Sequence, residues 1–387
     1  MQQSIFPINR LQSIPTPFYF YDDLLLEKTI SEINRCIEGA PIHVHYALKA
    51  NANPKIVSIL QRNGFGVDCV SGGEIKLALE AGFDPEKIVF AGVAKSDDEI
   101  LFALQSKILC FNVESLEELS IIDNLCANHG YTANVCLRIN PNIDAHTHKY
   151  ITTGLEENKF GIGIDQLPDA LTLLKSLSNV SLIGLHFHIG SQITILQPFI
   201  LLCNRINAIV QDIESKGFNI RIINVGGGLG IDYYNPDKNP ISDFSGYFNV
   251  FKTHLKLTPH MQMHCELGRS VVAQCGTIIT RVLYVKHGIT KQFIMVDAGM
   301  NNLIRPALYQ AHHAIQNLTS TALKQEVYDV VGPICESADV FGTEVILPTT
   351  SRGDLMAIRS AGAYGEVMAS TYNCRPFAKS YFITELD

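Results

Sequence analysis

The stretch IHVHYALK, residues 42–49, sets the pattern from which the fold can be predicted. It is a short apolar run of the kind that forms a buried β-strand, and seven similar runs follow it up to Gly268. Helical patterns such as GGEIKLALEAG and QPFILLCNRINAIVQDIESKG separate most of these runs. Eight strands that alternate with helices predict a (β/α)8 TIM-like barrel of the α/β class, with an open doubly wound sheet as the alternative.

The alternation of strand and helix patterns ends near residue 270, which predicts a second domain. Runs such as GTIITRVLYVKH, QEVYDVVGP and GDLMAIRSAG are strand-like, with turns and little helix between them. The N-terminal run IPTPFYFYD is also strand-like and could pair with them. We predict an N-terminal strand in residues 1–22 that pairs with the β domain, a barrel in residues 23–268, and a C-terminal β domain of sandwich-like or barrel-like type in residues 269–387.

Composition and charge exclude several classes of protein. Of the 387 residues, 47% are hydrophobic and 18% are charged, which is typical of a soluble globular protein. The net charge of −8 and the lack of long Lys/Arg runs argue against nucleic-acid binding. Ten cysteines without a CxxC pair indicate reduced thiols and a cytoplasmic protein, and the N-terminus lacks the pattern of a signal peptide. Residues 176–204 have no charged side chain, but their polar residues favour a strand, a loop and a helix start over a membrane span.

Lys49 is the first candidate for chemistry. Period-two alternation places His43, His45, Ala47 and Lys49 on one face of the first strand, and the last of them reaches the mouth of a barrel. Burial lowers the pKa of a lysine amine, which imine formation with a carbonyl requires. The alternative is a surface lysine at the end of a strand.

A glycine-rich segment, NVGGGLGI at residues 224–231, is the second candidate. Glycines directly after an apolar strand leave backbone N–H groups free to approach a phosphate, although a tight turn explains them as well. The segment is neither a GxGxxG fingerprint followed by an acid nor a P-loop. Together with a lysine on the first strand, it fits a phosphorylated aldehyde cofactor better than a nucleotide.

Three further segments carry candidate residues. In HCELGRS, residues 264–270, Glu266 could pair with a pyridinium nitrogen, with an exposed salt bridge to Arg269 as the alternative. In HFHIGSQ, residues 186–192, His188 and Ser191 follow another strand. In PICES, residues 333–337, Cys335 could donate a proton, although most cysteines are inert core residues.

Paired histidines raise the question of a metal site. The pairs are HVH at 43–45, HTH at 146–148 and HFH at 186–188. No carboxylate has an evident spacing from them, so core or stacking histidines are favoured and no metal is predicted.

Seven motifs in order resemble the diaminopimelate decarboxylase family. They are YALKAN, GVDCVSGGE, HIGSQ, GGGLGI, VDAGMNNLIRPALY, GPICES and GAYGEVMASTYNCRP, and the resemblance runs from about residue 16 to the end of the chain. YITTGLEENKFGI, residues 150–162, is also similar to this branch of the alanine-racemase-like enzymes, whose relatives are ornithine and arginine decarboxylases.

The resemblance implies pyridoxal 5'-phosphate as cofactor and a homodimer whose active sites are shared across the interface. It implies that Lys49 is joined covalently to the cofactor, that His188 stacks on its ring, and that Glu266 keeps its ring nitrogen protonated. It further implies a general acid, Cys335, that reaches across the dimer. The remaining residues that it assigns to cofactor phosphate or substrate are Ser191, Gly227, Gly228, Arg269, Arg305, Tyr309, Glu336 and Tyr372.

The reaction that the resemblance implies is decarboxylation of meso-2,6-diaminopimelate to L-lysine and CO2, the last step of lysine biosynthesis. The alternatives are a decarboxylase of a related amino acid or polyamine precursor (carboxynorspermidine, ornithine or arginine), a metal-dependent barrel hydrolase, and a non-catalytic carrier of the cofactor. Three residues depart from the family pattern. Leu267 replaces the proline of E-P-G-R, Lys149 stands where proline is common, and Cys374 stands where Ser or Thr is usual.

Overall fold

The computed structural model describes residues 6–143 and 159–386, which form two compact units. The barrel unit consists of Ile30–Gly230 and Asp243–Gly268. The β unit consists of the described residues before Ile30, of Ile231–Ser242 and of the chain from Arg269 onward. The HTH and Lys149 segments, and most of YITTGLEENKFGI, lie outside the described residues.

The barrel unit contains a closed barrel of parallel strands in chain order, as predicted. Strands are numbered along the chain, and β1, Phe18–Tyr21, belongs to the β unit. The barrel strands are β2 (Ile42–Ala47), β3 (Gly66–Cys69), β4 (Ile88–Phe90), β5 (Cys110–Val113), β6 (Ala133–Arg138), β7 (Val180–His186), β8 (Ile222–Asn224) and β9 (Gln262–Leu267). The pairing of β2 with β9 closes the barrel, so all the strands deliver their carboxyl ends to one edge.

Helices follow most barrel strands, and their caps are visible in the sequence. Asn53, Ser71 and Ser96 each accept a hydrogen bond from a backbone N–H in the first turn of the helix that follows, and Ser96 forms a capping box with Glu99. The helices are α1 (Ile8–Leu11), α2 (Asp23–Ile37), α3 (Pro54–Arg62), α4 (Gly72–Glu80), α5 (Asp97–Ser106), α6 (Leu116–His129), α7 (Leu167–Ser176), α8 (Gln197–Ser215), α9 (Phe244–His254), α10 (Arg269–Val272) and α11 (Arg305–Tyr309).

The β unit is a mixed sheet in the order β12-β15-β10-β11-β13-β14. The N-terminal strand β1 pairs antiparallel with β10 and parallel with β16, which confirms its predicted partnership with the C-terminal domain. The strands are β10 (Gly276–His287), β11 (Gln292–Val296), β12 (Ile315–Asn317), β13 (Gln325–Val331), β14 (Val340–Pro348), β15 (Leu355–Ile358) and β16 (Lys379–Phe382). Buried apolar side chains from β1, β10 and β15 pack together, because alternate residues of each strand face the same side.

One strand of the β unit was not predicted, whereas the prediction for the uncharged stretch is confirmed. Strand β12 was not predicted, because three half-buried residues carry too short a pattern to be recognised. The uncharged stretch 176–204 contains β7 and the start of α8, as predicted. In the described part of the chain, none of the helices has both the length and the apolar character that a membrane crossing requires.

Candidate active site

A cavity of about 420 Å³ lies at the edge of the barrel where the carboxyl ends of the strands meet. Its walls come from segments that follow or end β2, β3, β4, β6, β7 and β9. The lining residues are Lys49, Val70, Ala91, Gly92, Val93, Ala94, Arg138, Phe160, His186, His188 and Glu266. The cavity therefore brings together three of the residues predicted from sequence, Lys49, His188 and Glu266.

Lys49 lies in the 3-10 turn Leu48–Ala50, directly after β2 and not within the strand. Its side chain is 44% exposed, and its Nζ lies 3.8 Å from Oδ2 of Asp68. The prediction that this amine is buried is therefore wrong. A neighbouring carboxylate distinguishes this lysine from an ordinary surface lysine.

Asp68, the third residue of β3, is a functional candidate that sequence reasoning missed. Its side chain is buried, and neither carboxylate oxygen has a hydrogen-bond partner among the described residues. Burial raises the pKa of Asp68, nearby Glu266 raises it further, and Lys49 opposes both. A carboxyl group in these surroundings can hold or release a proton beside the Lys49 amine.

Glu266, near the end of β9, is buried and surrounded by hydrogen-bond donors. Its Oε1 accepts from the Nδ2 atoms of Asn112 and Asn224 at 3.1 and 2.7 Å, and Oε2 lies 3.0 Å from Nε2 of His186. Burial, the largest single influence, raises the pKa of Glu266. The attraction and hydrogen bond of His186, together with the charge of Lys49, outweigh burial, so the pKa lies below its usual range. Glu266 is therefore held as a carboxylate.

His188 follows β7 and lies partly buried in the cavity wall. Its Nδ1 accepts a hydrogen bond of 3.2 Å from the backbone N–H of Gly227. Burial, together with the positive charges of Arg138 and Lys49, lowers the pKa of His188 well below its usual value. The imidazole is thus neutral and carries its proton on Nε2.

The glycines of NVGGGLGI lie so close to neighbouring backbone that no side chain would fit at two of them. A Cβ on Gly227 would lie 2.0 Å from the carbonyl oxygen of Glu266. A Cβ on Gly228, whose φ is +106°, would lie 2.7 Å from the carbonyl oxygen of Gly190. Glycine is required at both positions, which keeps this part of the rim free of side chains.

Arg138, the last residue of β6, is a second residue that sequence reasoning missed. It lines the cavity, and its Nη1 lies 2.5 Å from Oε1 of Glu114. The other oxygen of Glu114 accepts from the backbone N–H of Gly161, and the guanidinium lies over the ring of Phe160. Asp68 and Arg138 share one signal that could have revealed them, because each is a charged residue in the last two positions of a barrel strand.

The β unit contains the two predicted arginines, and both contact Tyr233. Arg269 donates from Nη1 to the Tyr233 hydroxyl at 2.7 Å, and the guanidinium of Arg305 lies over the Tyr233 ring at 5.1 Å. Arg305 is only 5% exposed and has no salt bridge to any described carboxylate. Burial lowers the pKa of Arg305 and Arg269 adds to this effect, while Tyr233 opposes it.

The other predicted residues of the β unit lie at its surface or are half-buried. Cys335 is exposed, and its backbone N–H donates to the side chain of Asn373 at 3.3 Å. The neighbouring Glu336 accepts a hydrogen bond from the hydroxyl of Tyr372, which raises the pKa of that tyrosine. The structure thus brings Glu336 and Tyr372 together, whereas Tyr309 lies half-buried at the end of α11.

The histidines of β2 and β9, His43, His45 and His264, pack against one another. Nε2 of His45 lies 2.9 Å from Nδ1 of His264, and Nδ1 of His45 lies 3.2 Å from the carbonyl oxygen of Lys87. The ring of His43 lies beside that of His264. Across residues 6–143 and 159–386, no cluster of three or more His, Cys, Asp and Glu side chains has the geometry of a metal site.

Several known proteins are similar to this chain over most of its length. Residues 25–273 match the pyridoxal-dependent decarboxylases over their pyridoxal-binding domain. The diaminopimelate decarboxylase of Bacteroides thetaiotaomicron is 53% identical over 385 residues, which cover 99% of this chain and 100% of that protein. The diaminopimelate decarboxylase of Helicobacter pylori is 43% identical over 367 residues, which cover 94% of this chain and 89% of that protein.

Two solved structures are similar to this chain over nearly its whole length. The crystal structure of diaminopimelate decarboxylase from Helicobacter pylori complexed with L-lysine has a TM-score of 0.92 at 41% identity, over 97% of this chain and 93% of that one. The diaminopimelate decarboxylase from M. jannaschii in co-complex with L-lysine has a TM-score of 0.89 at 34% identity, over 98% and 90% of the two chains.

Proposed function

This chain belongs to the diaminopimelate decarboxylases, within the pyridoxal-dependent decarboxylase family, and from this membership we propose that it converts meso-2,6-diaminopimelate to L-lysine and CO2. The enzyme is a carboxy-lyase, and its cofactor is pyridoxal 5'-phosphate. The observation that carries the proposal is the buried, hydrogen-bonded side chain of Glu266 in the same cavity as the amine of Lys49.

The residues of the cavity fit this cofactor. Glu266 accepts two hydrogen bonds on Oε1 and one on Oε2, so among the described residues a lone pair of Oε2 is left for a further donor. A protonated pyridine nitrogen is such a donor, and the low pKa of Glu266 means that the carboxylate does not take this proton. When bound, the cofactor supplies the electron sink that stabilises the carbanion formed on loss of CO2.

Three further features would hold the cofactor. Lys49 would offer the amine that bonds to its aldehyde, and the buried carboxyl group of Asp68 lies 3.8 Å from that amine, within ion-pair distance. The neutral imidazole of His188 can stack on an aromatic ring without adding charge. Ser191, Gly227, Gly228, Arg269 and Tyr372 would bind the phosphate and neighbouring substrate atoms.

Arg305 supports diaminopimelate as the substrate. This substrate carries a second carboxylate at the end remote from the reaction, whereas ornithine carries only an amine there. A buried guanidinium without a described acidic partner is suited to binding a carboxylate. Its planar N–H groups can donate to both carboxylate oxygens at once. We assign Arg305 and Tyr309 to the remote carboxylate, and Glu336 to the remote amine.

The proton that replaces CO2 would come from Cys335. Its exposed thiol suits the proposed homodimer, in which this residue reaches into the active site of the second copy. The thiol would deliver a proton to the carbon that lost CO2, as a general acid. None of the ten cysteines forms a disulfide, which supports the cytoplasmic location that we propose.

A substrate panel tests the function directly. The purified protein is loaded with pyridoxal phosphate and given meso-diaminopimelate, ornithine, arginine or carboxynorspermidine, and CO2 and amine products are measured. Diaminopimelate should be turned over with the highest kcat/KM and should yield L-lysine. The proposal fails if no lysine forms while another substrate is decarboxylated.

A further inference from the structure

Arg305 has a second buried contact, with His313, that the proposed function does not use. Nη1 of Arg305 lies 2.9 Å from Nε2 of His313, and Nδ1 of His313 lies 2.8 Å from the backbone carbonyl oxygen of Arg359. The imidazole is 1% exposed, so no bulk water competes for either nitrogen. His313 therefore bridges the guanidinium of Arg305 and the backbone that follows β15.

These two partners determine the tautomer of His313. A carbonyl oxygen can only accept a hydrogen bond, so Nδ1 must carry the proton. A guanidinium can only donate, so Nε2 must present its lone pair to Arg305. The neutral Nδ1–H tautomer is the one form of the ring that satisfies both contacts.

The surroundings also keep this ring neutral. Burial lowers the pKa of His313 to about 3, with a further contribution from the charge of Arg305. The other groups that face it are His312, Arg269 and the edge-on ring of Tyr233, and only the hydrogen bond to the carbonyl of Arg359 acts in the opposite direction. The ring thus remains a hydrogen-bond acceptor for Arg305 throughout the range of pH in which an enzyme is assayed.

The contact restrains the guanidinium without neutralising its charge. The ring of Tyr233 covers one face of the Arg305 guanidinium, and Nε2 of His313 accepts a hydrogen bond from its Nη1. An acidic side chain at the position of His313 would restrain the guanidinium equally well, but it would also compete with an anionic ligand for the positive charge. A neutral acceptor avoids this competition.

We propose that His313 is a positioning residue, whose Nε2 holds the Arg305 guanidinium in the orientation that binds the remote carboxylate of the substrate. The inference rests on the proposed function, in which Arg305 binds that carboxylate. The competing explanation is structural, namely that His313 serves only to anchor its own loop to the carbonyl of Arg359 through Nδ1–H.

Two amide variants separate these explanations. In His313→Asn, the amide nitrogen can replace Nδ1–H toward Arg359, but nothing reaches Arg305. In His313→Gln, the amide oxygen can replace Nε2 toward Arg305, while the contact with Arg359 is lost. We expect His313→Asn to raise the KM for meso-diaminopimelate about tenfold, as loss of a hydrogen bond to a charged group does, with kcat within about twofold of wild type. We expect His313→Gln to restore most of the affinity.

A double-mutant cycle shows whether His313 acts through Arg305. Arg305→Gln alone should raise KM by at least as much as His313→Asn, and adding His313→Asn to it should cause no further increase. The holoenzyme is used throughout, and the absorbance of the bound cofactor and the Tm of each variant confirm that the fold and the cofactor site are intact.

The outcomes distinguish the inference from the function on which it rests. If Arg305→Gln raises KM and His313→Asn does not, or if the two effects simply add, the positioning role of His313 is overturned and the function stands. Weaker binding in His313→Gln than in His313→Asn overturns it too, because the loop anchor would then be the contact that matters. If Arg305→Gln leaves KM unchanged, the assignment of Arg305 to the substrate is itself wrong.

Discussion

In the barrel unit the buried carboxylate of Glu266 is surrounded by hydrogen-bond donors, whereas in the β unit the buried guanidinium of Arg305 lies between an aromatic ring and a neutral imidazole. Glu266 is in direct contact with His186, whereas no described acidic side chain forms an ion pair with Arg305. The consequences differ. Burial raises the pKa of Glu266, but His186 and Lys49 outweigh it and favour the ionised form, whereas burial lowers the pKa of Arg305, which penalises its ionised form.

This difference indicates how each group would contribute to the reaction. Glu266 is stabilised as a carboxylate before any ligand arrives, so its effect should appear in the chemical step. No described acidic side chain pairs with Arg305, so an anionic ligand would be its counter-ion and its effect should appear in substrate affinity. Substitutions in the two units should therefore separate kcat from KM.

The largest expected effect is that of Lys49→Ala. Without an amine beside Asp68 the cofactor has no covalent attachment, so we expect turnover to fall by a factor on the order of 10⁴ or more and the absorbance of the bound cofactor to disappear. The exposed Lys76 on α4 is the control, since Lys76→Ala removes the same charge elsewhere in the barrel unit. Activity near wild type in Lys49→Ala would disprove its role.

Glu266→Gln tests the barrel side of the comparison. Glutamine has nearly the shape of glutamate but lacks the negative charge that would stabilise a protonated pyridine nitrogen of the cofactor. We therefore expect kcat to fall on the order of a hundredfold or more with little change in KM. The matched control is Glu80→Gln, which replaces an exposed carboxylate on α4. A rise in KM at constant kcat would place Glu266 in substrate binding and remove the contrast with Arg305.

Cys335→Ala tests whether the proton that replaces CO2 comes from this exposed thiol and not from the buried groups around Glu266 and Arg305. We expect the cofactor to remain bound and kcat to fall about a hundredfold, the range typical of a lost general acid. Cys374→Ala is the control, because it removes the other exposed thiol. If Cys335→Ala turns over at the wild-type rate, another group supplies the proton.

Asp68→Asn should have the smallest effect on activity and a measurable effect on stability. The raised pKa of Asp68 means that the unfolded chain loses this proton near its ordinary pKa of 3.8, whereas the folded chain retains it to higher pH. The folded wild-type protein therefore loses stability as the pH rises from 3.8 to the raised pKa of Asp68. An amide at this position cannot ionise, so the Asp68→Asn variant should not show this loss. We expect about tenfold lower kcat, together with a Tm about 2–4 °C higher at pH 7 in the cofactor-free protein, on the order of 1 kcal/mol.

The control for stability is Asp98→Asn, at an exposed position on α5. Tm is measured from pH 3 to pH 8 for both variants and the wild type. A constant difference between Asp68→Asn and the wild type at every pH would show that the carboxyl group titrates normally in the folded protein.

Much of the fold could be predicted because it depends on local patterns. The eight apolar runs became the eight barrel strands, and N-cap residues such as Ser71 and Ser96 marked where helices begin. Of the site, Lys49, His188 and Glu266 were found and they line one cavity. The burial of Lys49 was predicted wrongly, because exposure depends on neighbours from other strands and not on position along one strand.

The order of the strands, the edge of the barrel at which candidate side chains lie and the family of the chain can all be read from the amino-acid sequence. Which side chains meet at that edge depends on how the strands pack in the folded protein. Glu266 is bound by residues 154, 80 and 42 positions away, and those pairings depend on the register of parallel strands closed into a barrel. Likewise, the tautomer of His313 follows from contacts with Arg305 and with a carbonyl 46 residues further on. Hydrogen bonds act over a few ångströms in space, so their partners are settled by packing and not by distance along the chain.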